Sequence, residues 1–269
     1  MRLQELFLVE TTEEDRALIS LSSAIYNYIQ KYEEESVEPE YDGDDFDDEY
    51  DDFDSPKDEK VIMVGNIGSL FNTPIDILNP ITIELQSSYG IRERLDKEDG
   101  SDVTKGPTGE VLGIWYGANS TMVLNKDYLT SNAMKTTITH ELRHALDDYK
   151  SNFQANKIGG RYSIPRNKAY RDAPKHPELG NVKYLAEPAE INARFLQVLH
   201  AMVPIIRRAA ALEPNRVRPA IMSNLQRHLE ARKISSLFPE KEKSKDYKRL
   251  IKRAMDFIEK ELKYVQSSK

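Results

Sequence analysis

The strongest constraint on the fold is a change of grammar along the chain. Between Val61 and Leu124 the runs VIMVGNIGSLF, ITIEL, EVLGIWYG and STMVL are short, rich in β-branched residues and broken by Gly, Asn and Pro. Such runs read as strands. From Ser131 onward apolar residues recur at helical spacing, nearly to the C-terminus. Strands gathered in one stretch and helices in another predict an α+β fold.

The flanks are distinct in charge. Residues 12–32 predict an amphipathic helix, with Thr12 and Asp15 in a capping arrangement and Leu18, Leu21, Ile25, Tyr28, Ile29 and Tyr32 on the apolar face. From Glu33 to Glu59 there are sixteen acidic residues and one lysine, so this tract is expected to be a solvated linker or insertion. From Ile205 to Lys269 there are seventeen basic and eight acidic residues, on sequence that suits amphipathic helices. The organisation expected is an N-terminal helical segment (1–32), an acidic linker (33–59), a catalytic-type domain (60–204) and a basic helical C-terminal subdomain (205–269). Within the acidic tract Glu38, Glu40, Asp42, Gly43 and Glu49 match the spacing of a calcium loop. Glu in place of the first Asp, Pro39 and Asp45 argue against that reading.

Composition excludes several chemistries. With no cysteine the chain has no thiol nucleophile, disulfide or thiolate metal site, so a metal must be held by His, Asp or Glu. No apolar run is long enough to span a membrane, and the start does not read as a secretory signal. A cytoplasmic location is therefore expected. Phosphate-binding glycine loops and the G-x-S-x-G nucleophile turn are also absent.

The segment TITHELRHALDDY (137–149) carries the sharpest signal. An α-helix places His140 and His144 one turn apart on one face, where two imidazoles can hold one Zn²⁺. Glu141 then projects beside the metal and can take a proton from an activated water. Five histidines among 269 residues would give HExxH by chance in roughly one such chain in a hundred. Ser131 reads as the N-cap of this helix, with Ile138, Leu142, Ala145 and Leu146 on its apolar face.

A catalytic zinc needs a third protein ligand and one open position. The candidates are Glu187, Glu190, His176 and His200. Pro188 can open a new helix, which Pro204 stops or kinks, and this puts Glu190 in the first turn on a packed scaffold. An anion is favoured there, so Glu190 leads. Glu187 precedes proline, His176 lies in a loop, and His200 reads as a helix-surface residue.

HELRHALDDY followed by YLAEPAEINARFLQVLH resembles the gluzincin metallopeptidases. The likeness is to the catalytic domain of anthrax lethal factor and to small phage-encoded zincins. The shared features are HE-x-x-HA-x-DDY, a Tyr shortly before the ligand Glu, and E-x-x-A with a His further along that helix. The resemblance covers roughly residues 137–200. It implies a zincin-like mixed sheet with an active-site helix, zinc held by His140, His144 and Glu190, and Glu141 as general base. It also implies a peptide substrate laid along an edge strand, for which Gly113–Leu124 is the candidate, and Tyr184 as the phenol that steadies the oxyanion. Tyr184 lies one residue closer to Glu190 than in the lethal factor pattern.

Two aspartates have competing readings. Asp147 is placed to pair with Arg143 on an exposed face, and Asp148 to orient a ligand imidazole or to make a tertiary contact. The leading expectation is a zinc metallopeptidase acting on protein or peptide. The alternative is a catalytically silent zincin-fold protein that uses its acidic and basic flanks to bind a protein partner. Interleaved acidic residues in the C-terminal helices argue against nucleic acid as the partner.

Overall fold

The computed structural model describes residues 12–35, 60–64, 81–97, 102–105, 110–117, 119–150, 188–238 and 241–267. The fold is α+β and mostly helical. The helices are α1 (Thr12–Glu35), α2 (Ser88–Lys97), α3 (Asn132–Lys150), α4 (Pro188–Ala209), α5 (Pro214–Ala231) and α6 (Lys245–Ser267). The strands are β1 (Lys60–Val64), β2 (Ile81–Gln86), β3 (Asp102–Lys105), β4 (Val111–Tyr116) and β5 (Thr121–Asn125). Among the described residues no helix is long and apolar enough to cross a membrane.

The strands form one mixed sheet in the order β1-β2-β5-β4-β3. β2 and β5 pair in parallel, and the other three pairings are antiparallel. This order corrects one expectation. Gly113–Leu124 is not an edge: β4 and β5 are inner strands, with β5 between β2 and β4, and the edges are β1 and β3. β5 is covered by β2 through a crossover, a pairing between distant segments that no local pattern announces, and β4 is covered by β3.

Side chains alternate between the two faces of the inner strands, as a period of two requires. Ile81, Ile83, Leu85, Trp115, Met122 and Leu124 join the large core with α1, α3 and α4. Ile114 and Val123 point the other way, to a small cluster with Ile91 of α2. α3 lies on β4 and is flanked by α1 and α4, while α4 also carries α5 and α6.

Several local readings are modified by this packing. Asp15 meets a partner on another helix. It is fully buried and bonded twice by Arg253 of α6, with Nε donating to Oδ2 at 2.8 Å and Nη2 to Oδ1. Tyr28 is exposed rather than on the apolar face, whereas Leu18, Leu21, Ile25 and Ile29 are buried. Ser131 precedes α3, but its Oγ makes no hydrogen bond among the described residues. α4 runs through Pro204 to Ala209, because Ile206 and Ala209 are held in the core and outweigh the one backbone bond a proline forfeits. The calcium-like spacing at 38–49, His176, Tyr184 and Glu187 all lie outside the described residues.

Candidate metal centre

α3 is fixed by the apolar face read from its sequence. Ile138, Leu142, Ala145 and Leu146 are all buried. That leaves His140 and His144, one turn apart, turned toward the start of α4. Their rings meet edge to face at 4.6 Å between centroids, with the two Nε2 atoms 2.9 Å apart. Glu190 in the first turn of α4 brings Oε2 to 3.3 Å from His140 Nε2 and 3.5 Å from His144 Nε2. All three side chains are buried.

This triangle passes a simple test for a metal. Ligands about 2.0–2.1 Å from a tetrahedral ion lie about 3.3–3.4 Å from one another. The three separations bracket that value. Glu190 Oε2 is also a buried oxygen with no hydrogen bond among the described residues, a costly state unless something else satisfies it. Two imidazole nitrogens and one carboxylate oxygen form a donor set for a divalent transition ion. The buried His140, His144 and Glu190 group can therefore bind a metal ion.

Electrostatics prepare the ligands. Burial lowers the pKa of His140 and outweighs the attraction of Glu190, which keeps the imidazole in the neutral form that ligates. For Glu190 burial works against the charge, but His140, His144 and the Arg194 guanidinium outweigh it and hold the carboxyl well below its ordinary range. His140 Nδ1 has no partner among the described residues, so the outer-sphere bond that commonly fixes a ligand ring is not found there.

Glu141 is fully buried and faces β4. A methyl group at position 113 would lie 3.0 Å from Glu141 Oε1 and 2.6 Å from Thr137 Cγ2, so Gly113 is what lets α3 approach the strand. Two residues along the same face, Trp115 Nε1 donates to Asp148 Oδ2 at 2.6 Å. A side chain at Gly117 would strike that same oxygen at 2.2 Å. The bond described for Asp148 is thus a tie between α3 and β4, not one to a ligand imidazole.

Two sequence readings need correction here. Arg143 pairs with Asp147 at 2.7 Å, but not on an exposed face. Its side chain is fully buried and also donates to Glu14 Oε1 at 3.1 Å, because α1 covers this side of α3. His200 is no surface residue either. It is partly buried, with Nδ1 2.6 Å from Thr139 Oγ1 and 3.5 Å from Ser22 Oγ, so it joins α4 to α3 and α1.

Sequence reasoning missed Arg194, whose Nε donates to Glu190 Oε1. The signal was present: an acid followed four residues later by an arginine on one helix. Sequence reasoning also gave Gly113 and Gly117 no role of their own within the Gly113–Leu124 candidate strand, although glycine in a strand marks close approach.

Fold and site together define an α+β protein with a buried two-histidine, one-glutamate centre on its central helices. No family model, curated protein or solved structure matches the chain.

Proposed function

We propose that the chain is a zinc-dependent metallopeptidase of zincin-like fold, acting on a protein or peptide. The convergence of His140, His144 and Glu190 carries this reading, since their candidate ligand atoms lie within 4.8 Å of one another, with Glu141 next to His140 in the sequence. Zinc, when bound, polarises the scissile carbonyl and lowers the pKa of its water to about 7. His140 and His144 would hold it through Nε2, and Glu190 through Oε2. Glu141 receives the proton from the attacking water and passes it to the departing amine. The resemblance noted above adds Tyr184, outside the described residues, as the donor to the oxyanion.

The test is metal content by mass spectrometry on the full chain, with Glu190→Ala and Glu141→Gln alongside. We expect one zinc per chain in the parent and in Glu141→Gln, none in Glu190→Ala, and peptide cleavage in the parent alone. Full cleavage by Glu141→Gln would refute the general-base role. A zinc-free parent after reconstitution would refute the metal centre.

One observation favours a second reading. His140, Glu141, His144 and Glu190 are each at most 3% exposed. A centre so enclosed suits a silent, structural metal, with the charged flanks left to bind a protein partner. Under that reading zinc removal lowers the melting temperature and no peptide is cut by any variant.

A further inference from the structure

Glu190 uses its two oxygens differently. Oε2 faces both histidine nitrogens and takes no hydrogen bond among the described residues. Oε1 accepts from Arg194 Nε. Arg194 is itself held at its far end, where Nη1 donates to the Arg232 carbonyl at 3.3 Å, just past the end of α5. Arg232 in turn reaches back to α3, its Nη2 donating to Thr136 Oγ1 at 3.3 Å. Thr136 lies one turn before His140, and its carbonyl accepts from Gln197 of α4 at 3.0 Å. The chain of bonds thus leaves Glu190, crosses to the end of α5, and returns to the helix that carries both histidines.

We propose that Arg194 is a positioning residue that limits Glu190 to one ligand oxygen. This rests on the metallopeptidase reading. A carboxylate free to turn can offer both oxygens, or swing away from the ion. With Oε1 taken by a guanidinium anchored on Arg232, the carboxylate does neither. Two imidazoles and a single carboxylate oxygen then leave the fourth tetrahedral position to water, as a catalytic centre requires. An ordinary pair four residues apart on a helix surface contributes only a few tenths of a kcal/mol and is screened by solvent. The Glu190 side chain is 2% exposed, so this pair sits where position matters.

The experiment compares the full-length parent, Arg194→Ala, Arg194→Gln and Glu190→Ala. Zn²⁺ affinity is measured by competition with a chromogenic chelator, and each metal-free protein is melted to check its fold. Co²⁺ is then substituted, because its visible bands weaken when coordination rises above four. We expect Arg194→Ala to bind Zn²⁺ about 10–100-fold more weakly, as loss of an outer-sphere partner does. Its Co²⁺ bands should weaken, and added guanidinium ion should restore affinity in this variant but not in Glu190→Ala. Arg194→Gln, which keeps an amide donor near Glu190, should fall between, and it serves in the same comparison if Arg194→Ala does not fold. Parent affinity and parent Co²⁺ bands in a folded variant would overturn the inference alone. Weakened binding with parent bands and no rescue would overturn it too, since Arg194 would then act only through the fold. A parent that binds neither ion would overturn the metal centre beneath it.

Discussion

His200 makes the fold sensitive to acid in a way that can be isolated. Its Nδ1 lies 2.6 Å from Thr139 Oγ1, while Thr139 also touches Ser22 Oγ and the Lys135 carbonyl, each at 2.8 Å. Ser22 gives its own hydrogen to the Ile19 carbonyl at 2.9 Å. Thr139 has one hydrogen for its remaining acceptors, so hydrogen counting assigns the Nδ1 proton to His200, which donates to Thr139. Acid must then add the second proton to Nε2, in a setting that resists it. Burial, with the charge of Lys135 adding to it, lowers the His200 pKa from 6.5 to about 4.

The sign follows from linkage. Between about pH 4 and pH 6.5 the unfolded chain binds this proton and the folded chain does not, so stability falls as pH drops through that window. Well above 6.5 His200 has no effect. Below about 4 the full loss is about 3 kcal/mol, and about 2 kcal/mol of it falls between pH 7 and pH 5. The perturbation is His200→Asn, which keeps a polar group near Thr139 and removes the titration. Urea unfolding of both proteins at pH 7 and pH 5, with chelator present, cancels the titration of every other group. The parent should lose about 2 kcal/mol more than the variant. Equal losses would refute the reasoning, and so would a larger loss in the variant.

Two further perturbations probe packing. Gly113→Ala puts a methyl 2.6 Å from Thr137 Cγ2 and should cost about 1–3 kcal/mol by urea unfolding, as overpacking does. Adding Thr137→Ser, which deletes that methyl and keeps the bond to the Ala133 carbonyl, should recover most of the loss; no recovery would place the strain elsewhere. Asp15→Asn removes the charge that Arg253 meets in the core and should cost about 3–5 kcal/mol, measured the same way. A loss below about 1 kcal/mol would put this pair with the weak surface pairs.

These residues also show why some of the molecule was legible in advance and some was not. α3 could be read because its face and its histidines obey one period of 3.6, and α4 because Pro188 announces its start. Glu190 followed from where that helix begins. What escaped was decided between segments. Asp15 sits where a cap is expected, yet its carboxylate goes to Arg253, 238 residues away, because α6 packs against α1 and turns Asp15 into the core. Arg143 looked exposed because nothing local says that α1 covers α3. The place of β5 inside the sheet depends on the β2–β5 crossover, and Gly113 and Gly117 gain their meaning only once α3 lies against them. Periodicity therefore located the candidate ligands, since those belong to single helices. Arg194 shows where that limit lies: its bond to Glu190 is written into one helix, but its anchorage on Arg232 exists only after α5 has packed against α4. A side chain that acts through its anchor is legible only when both of its ends are local.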